Sequence, residues 1–396
     1  MKGHIRSRGR NRWEIAVYLG IDEDTKKKRY SWTKVRGKKS DAQRELRRLL
    51  EDADSGIPVR AKRTTVDQHL LQWISDSGVR SRVAPSTLWR YNDIVTRILV
   101  PEFRGIDLRR LSPELVQRTY ASWLRAGTSA QTVIHYHRLL KRALAHGVRW
   151  RSISRNPIDL VDPPRVARRE PAVLNEAQAV ALFNALAGTR VQTAVLLAIA
   201  TGMRRGEILA LRWSDIDLDS PRAVVSVSRS LEGIGRELRF KETKSRSGVR
   251  QIPLPQFWIE ALRRHKAKQN AIRLAKGALY VDNDLVCCCD DGSPWRPRNL
   301  TSSFIDALKA RKLPNLRFHD LRHAYASWLL RQGAHPKVVS ERLGHSSTGI
   351  TMAIYAHVMP GLQDEATDRL NDAFSNTRLA GDWQNPKSAG HRGGRS

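Results

Sequence analysis

Cysteine is nearly absent from this chain of 396 residues; the three present are adjacent, Cys287–Cys288–Cys289. Neighbouring cysteines lack the two-residue spacing that lets thiolates wrap one zinc ion, so no metal site is expected. An odd count also excludes a complete disulfide framework and fits a reducing cytoplasm. Long apolar runs are missing too. The longest, Val195 to Ala200, falls far short of the ~20 residues that cross a bilayer. The basic start, Met1 to Arg12, has no apolar run behind it, so no signal peptide is expected. Acidic residues are scarce: 39 Asp and Glu face 70 Lys and Arg, a net charge of +31.

That surplus attracts polyanions. It is also widely spread. Residues 1–63 carry 19 basic and nine acidic side chains, and residues 64–170 carry 18 and nine. No module is acidic, so the expected partner touches them all, as a long duplex does by running through a groove or clamp. Forty per cent hydrophobic residues suits a folded chain of two or three domains.

Alternating apolar residues in Trp13–Leu19 predict a strand. A polar turn at Asp22-Glu23-Asp24 leads to a second strand, Tyr30 to Val35. Ser40 with Gln43 offers a capping box for a helix running through Leu46, Leu49 and Leu50 to near Gly56. Arg6, Arg8, Arg10 and Arg12 sit just before this thin sheet and are candidate DNA contacts; the plainer reading is a solvated basic arm. After a linker at 57–63, Thr64 or Thr65 caps a helix with Val66, Leu70, Trp73 and Ile74 inward. Leu88, Tyr91, Ile94, Val95 and Ile98 form the stripe of the next. Ser112-Pro113-Glu114 starts a third, and a fourth from Thr128 carries Val133, Tyr136, Leu140 and Leu144. Asn156-Pro157 and Pro163-Pro164-Arg165 mark a second linker. Beyond it, Asn175 with Gln178 starts a helix and Thr193–Ala210 forms an apolar one. Two β-prone runs, Ala223–Ser230 and Leu238–Leu254, flank a hairpin connection at Glu232–Gly235. From Phe257 the pattern is helical almost to the Gly/Ser/Arg-rich tail at 376–396.

Five short stretches place polar residues where packing is expected. They are Thr201-Gly202-Met203-Arg204-Arg205-Gly206-Glu207, the turn around Lys244, His319-Asp320-Leu321-Arg322-His323, Leu343-Gly344-His345, and Tyr355 in Ala353–His357. Singly, each has a plain explanation. Arg204 and Glu207, three apart, can form a structural ion pair. Lys244 can be an exposed turn residue and Tyr355 a packed aromatic. His319 and His323 lack the glutamate of a metalloprotease pair. Pro336–Thr348 also reads as a helix-turn-helix with Val338, Val339 and Leu343 packing. Together, two arginines, a lysine, two histidines and a tyrosine are a complete set for metal-free phosphoryl transfer. Arginine forks neutralise charge growing on phosphate oxygens. A lysine can protonate the leaving 5′ oxygen, and a phosphotyrosine keeps the bond energy so that no nucleotide is needed.

In order and spacing these stretches resemble the tyrosine recombinases of the phage lambda integrase class. The family has a T-G-x-R-x-x-E box, a hairpin lysine, an H-x-x-R-H box, and an L-G-H box ten residues before the nucleophilic tyrosine; His345 and Tyr355 are ten apart. The resemblance implies that Arg204 and Arg322 clamp the scissile phosphate. Lys244 would be the general acid, His319 an acid/base partner, His345 a phosphate donor and Tyr355 the nucleophile. Glu207 and His323 would support them. The turn after Lys244 is about a residue longer than in many relatives, which keeps Lys241 as a rival acid.

The resemblance implies a multidomain, mainly α fold with small β-sheets. Its parts would be an arm-type DNA-binding domain at 1–56 (a three-stranded sheet plus helix), a four-helix core-binding domain at 64–155, a mixed α+β catalytic domain at 172–372, and a flexible tail. It further implies a site-specific integrase of a phage or genomic island without cofactor. That enzyme would work as a homotetramer on core and arm sites in double-stranded DNA, with accessory bending and directionality proteins, at the nucleoid of a bacterial cytoplasm. A type IB topoisomerase and a non-enzymatic helix-turn-helix regulator are the alternatives.

Overall fold

The computed structural model describes residues 2–21, 26–54, 63–166, 174–220, 222–242 and 248–345, with isolated positions between 349 and 374. The turn at Asp22–Asp24, most of the first linker, Lys244, Tyr355 and the tail fall outside these residues. The chain divides into two compact units, Met1–Arg169 and Glu170–Ser396. Among the described residues the architecture is mainly helical with small antiparallel sheets, and no helix is long and apolar enough to cross a membrane.

The first unit opens with an antiparallel sheet, β1 (Gly3–Ser7), β2 (Arg12–Ile21) and β3 (Lys28–Arg36), followed by α1 (Lys39–Asp54). Ile15, Val17, Ala42 and Leu49 form a small core between sheet and helix. The helix begins ahead of Ser40, and Asp41 accepts from the Lys38 amide at 2.9 Å, so the first turn closes two residues ahead of the expected box.

A second, separate core joins α2 (Val66–Ser75), α3 (Ser77–Ser81), α4 (Pro85–Ile94), α5 (Val100–Glu102), α6 (Pro113–Arg125) and α7 (Ala130–Arg149). Gln68 Oε1 accepts from the Thr65 amide at 3.2 Å, and Ser112 Oγ from Leu115 at 3.2 Å, which starts two of these helices where the sequence signals them. Ser129 caps α7, so this helix starts at Ala130 rather than from Thr128. Between α4 and α5 a π-turn spans Val95–Leu99. Its extra residue rotates the apolar stripe, so Leu99 is buried where Ile98 was expected. Asn156 is not yet linker: its amide donates to Lys141 O at 2.9 Å, its Oδ1 accepts from Ile158, and Ile158 is fully buried.

In the second unit α8 (Glu176–Ala185) is capped by Asn175 and Gln178. Helix α9 (Gln192–Thr201) is buried on all sides from Ala194 onward and forms the core around which the rest packs. The expected helix Thr193–Ala210 is interrupted. Gly202 takes φ +63°, and α10 (Arg205–Ala210) starts a new direction. A side chain at Gly202 would strike the Tyr325 ring and lie 2.7 Å from Leu343 Cδ2. Each β-prone run also splits in two. β4 (Ile216–Asp217), β5 (Val224–Val227) and β8 (Arg250–Pro253) form one sheet, while β6 (Arg229–Ile234) and β7 (Glu237–Glu242) form a separate hairpin. Helices α11 (Gln256–Lys276), α12 (Pro297–Ala310), α13 (Asp320–Arg331) and α14 (Pro336–Leu343) complete the unit. The segment between α11 and α12 is irregular rather than helical, with Cys288 bridged to Pro294.

Candidate active site

Arg204 is the N-cap residue of α10, where the chain turns at Gly202. Its Nη1 donates to Glu207 Oε1 at 2.9 Å, and its backbone amide to Glu207 Oε2 at 2.8 Å. Gly206 lets this turn lie against β6, since a methyl there would stand 2.5 Å from Ser230 Oγ and 2.8 Å from Leu231 O. Arg322, on the first turn of α13, is almost fully buried. Its Nη1 donates to Gly202 O and its Nη2 to Leu343 O, both at 2.7 Å. Those carbonyls end α9 and α14. The last carbonyls of a helix lack intrahelical partners and carry the negative end of its dipole, so a cation is favoured there.

The end of α14 holds more than one arginine. Arg250 Nε donates to Arg342 O at 2.7 Å, Arg322 Nη2 to Leu343 O, and Arg204 Nη2 to Gly344 O at 2.7 Å. Three consecutive carbonyls thus accept from three guanidiniums on β8, α13 and the α9–α10 turn. The next residue is His345, whose amide donates to Ser340 O at 3.0 Å. Burial, together with Arg322, Arg204, His323 and Arg250, pulls the His345 imidazole down to about 4. His319 stands just ahead of α13, its ring 4.8 Å from that of His323 and edge-on. Burial, then His323 and Arg322, bring it likewise to about 4. Both rings are neutral at pH 7, able to accept a proton. Burial opposes charge on Arg322 as well and lowers it to about 9. Burial also works against the Glu207 carboxylate, but Arg250 and Arg204 outweigh it and hold Glu207 below the usual range. The site is a cluster of cations around neutral histidines, with two buried carboxylates, Glu207 and Asp320, of which Asp320 is paired with Arg317. An incoming phosphate would supply the missing negative charge.

Residues 172–361 match the model of the phage integrase family. A tyrosine recombinase XerC-like protein of Caldanaerobacter subterraneus is 27% identical over 92% of this chain and 97% of its own length. An integrase of Streptomyces ambofaciens is 29% identical over 90% and 92%. Residues 172–361 are a phage integrase domain, the catalytic domain type of the tyrosine recombinases. Solved integrases share the fold. The Tn1549 transposon integrase in complex with transposon right end DNA superposes with a TM-score of 0.66 at 21% identity, covering 78% of this chain and 100% of that one. A lambda integrase dimer bound to a core site gives 0.56 at 16% identity over 89% and 94%.

Of the residues expected to act in this tyrosine recombinase, the structure gathers Arg204, Glu207, Arg322 and His345 at the end of α14, with His323 on the same helix as Arg322 and His319 at its N-cap. Lys244 and Tyr355 lie outside the described residues. Lys241 is described, and its ammonium pairs with Glu232 at 3.1 Å across the β6–β7 hairpin. In α14, Val339 and Leu343 pack as expected, but Val338 is exposed.

The N-terminal arginines divide. Arg6 lies over the Trp32 ring at 5.5 Å, on the sheet face away from α1. Arg8 is paired with Glu14 at 2.8 Å, Arg10 sits in the β1–β2 turn, and Arg12 opens β2. Two features are not evident from the sequence pattern. One is the aromatic cluster His4, Tyr18, Tyr30 and Trp32 on that same face. The other is Arg250. It does carry a signal: it stands two residues before the fully buried Ile252 on one strand, so both point to the same inward face.

Proposed function

We propose that this site-specific recombinase cuts and rejoins duplex DNA through a 3′-phosphotyrosine on Tyr355, with Arg204 and Arg322 on the scissile phosphate. The observation that carries the reading is the meeting of Arg204, Arg322 and His345 at the end of α14, ten residues before Tyr355. Tyr355 Oη attacks phosphorus, forming the phosphotyrosine bond as the bond to the 5′ oxygen breaks. The tyrosine proton passes to neutral His319, and the Lys244 ammonium protonates the departing 5′ oxygen. His345 donates to a non-bridging oxygen. Rejoining runs the same steps backwards, so neither ATP nor a metal is required.

Three modules divide the work in this reading: an arm-binding domain at 1–56, a core-binding domain at 64–155 and a catalytic domain at 172–372. The separate hydrophobic cores of the first two support that division. A cleft of about 500 Å³ between α4 and α7, lined by Arg90, His135, Arg138 and Arg142 with the Ser86 and Thr87 hydroxyls, suits a phosphate backbone. Arg6 and the aromatic face suit an arm site. Lambda integrase has been solved as a tetramer bound to a Holliday junction, which supports a homotetramer acting on paired sites; accessory bending and directionality proteins are a further part of this proposal.

The test concerns the acid. On DNA with a 5′-phosphorothiolate at the scissile bond, sulfur leaves without protonation, so Lys244→Ala should regain cleavage. Rescue of Lys241→Ala alone would move the role to Lys241, whose pairing with Glu232 argues against it.

A further inference from the structure

The structure assigns to Arg250 a role that rests on this reading: it is a positioning residue that sets Arg204 and the His345 backbone for the scissile phosphate. Arg250 holds the cluster together. Its Nη2 meets Glu207 Oε2 at 2.8 Å and its Nη1 meets Glu207 Oε1 at 3.3 Å. The same Nη1 donates to Gly248 O at 3.2 Å, and Nε donates to Arg342 O at 2.7 Å. One planar fork therefore ties together the α10 carboxylate, the turn at Gly248 ahead of β8, and the end of α14.

Exposure separates its role from that of Arg204. The Arg250 side chain is 7% exposed and that of Arg204 is 42% exposed. Arg204 can meet a phosphate, while Arg250 is sealed behind it and acts through Glu207. The carboxylate accepts from both arginines. If Arg250 is removed, Glu207 is free to draw Arg204 inward, and the Arg342 carbonyl at the end of α14 is left without its guanidinium. Lysine cannot substitute, because one ammonium on a flexible stem does not hold three acceptors at fixed angles.

The test uses the full chain and a nicked suicide duplex in single turnover. Adduct formation is timed on DNA with an ordinary scissile phosphate and on DNA with a methylphosphonate there, whose non-bridging position carries no charge. On phosphate DNA, Arg250→Gln should form adduct about a hundredfold more slowly, as removal of a transition-state donor does, while non-covalent affinity stays near that of the wild type. On methylphosphonate DNA its deficit relative to wild type should largely disappear, as for Arg204→Ala, because the charge being positioned against is gone. An equal deficit on both substrates would mean that Arg250 only stabilises the fold, and that overturns the inference. Arg250→Lys, which keeps a cation beside Glu207, covers a Gln variant that fails to fold. It should melt near wild type and still be slow on phosphate DNA; wild-type speed would overturn the assignment. A wild-type chain that forms no adduct on phosphate DNA instead overturns the proposed reaction itself.

Discussion

Replacing Glu207 by glutamine should destabilise the second unit strongly. The carboxylate is 3% exposed and accepts from the Arg204 amide, from Arg204 Nη1 and from two nitrogens of Arg250. Glutamine keeps the shape but removes the charge and turns an N–H group toward a guanidinium. Arg204 is exposed enough to find water, so its share is small. Arg250 is not, and a buried cation stripped of its partner costs about 3–5 kcal/mol. With roughly 2–4 °C per kcal/mol for a unit of this size, the transition should fall by about 6–20 °C. Differential scanning calorimetry on the full chain reads this directly, and the first unit's transition serves as an internal control. A Glu207→Gln transition within a degree or two of wild type would refute the idea that this carboxylate compensates the buried arginine.

Acid should weaken the fold. His319 and His345 are both held at about 4 in the folded chain, against ~6.5 when unfolded. The unfolded chain binds more protons between those values, so stability is complete above about pH 6.5 and drains away as pH falls toward 4. The second unit should melt lower at pH 5 than at pH 7.5; equal or higher melting at pH 5 would contradict the buried, neutral histidines. Removing residues 1–60 should abolish binding at arm sites and spare cleavage of a short core site. Each phosphate that the shortened chain no longer neutralises flattens the slope of log affinity against log salt by ~0.9. A truncated chain that footprints every site as the full chain does would make the sheet something other than a DNA reader.

Much of this was legible because local chemistry wrote it. The caps at Thr65, Ser112 and Asn175 and the inward positions Val66, Leu70 and Trp73 need only neighbours within a turn or two. The five motif stretches were readable as a set because phosphoryl transfer requires that combination. What escaped depends on distant partners. Arg250 looks like an ordinary strand residue until Glu207, 43 positions away, and Arg342, 92 away, close on it. The π-turn at Val95–Leu99 shifts one buried position by a single residue, which a 3.6-residue period does not anticipate. The run Ala223–Ser230 reads as one strand, yet Val227 pairs with Arg250 and Arg229 with Glu242, so neighbouring residues serve two sheets. Asn156-Pro157 has the composition of a linker, and only tertiary packing shows that the core extends past it.

The central claim is that Tyr355 is the nucleophile. Wild-type chain and Tyr355→Phe, incubated with a labelled nicked suicide duplex and run on a denaturing gel, test it most directly. The wild type should give a covalent protein–DNA band. Tyr355→Phe should bind the same duplex with near wild-type affinity and give no band, because only the attacking oxygen is missing. A denaturant-resistant band from Tyr355→Phe would contradict the account.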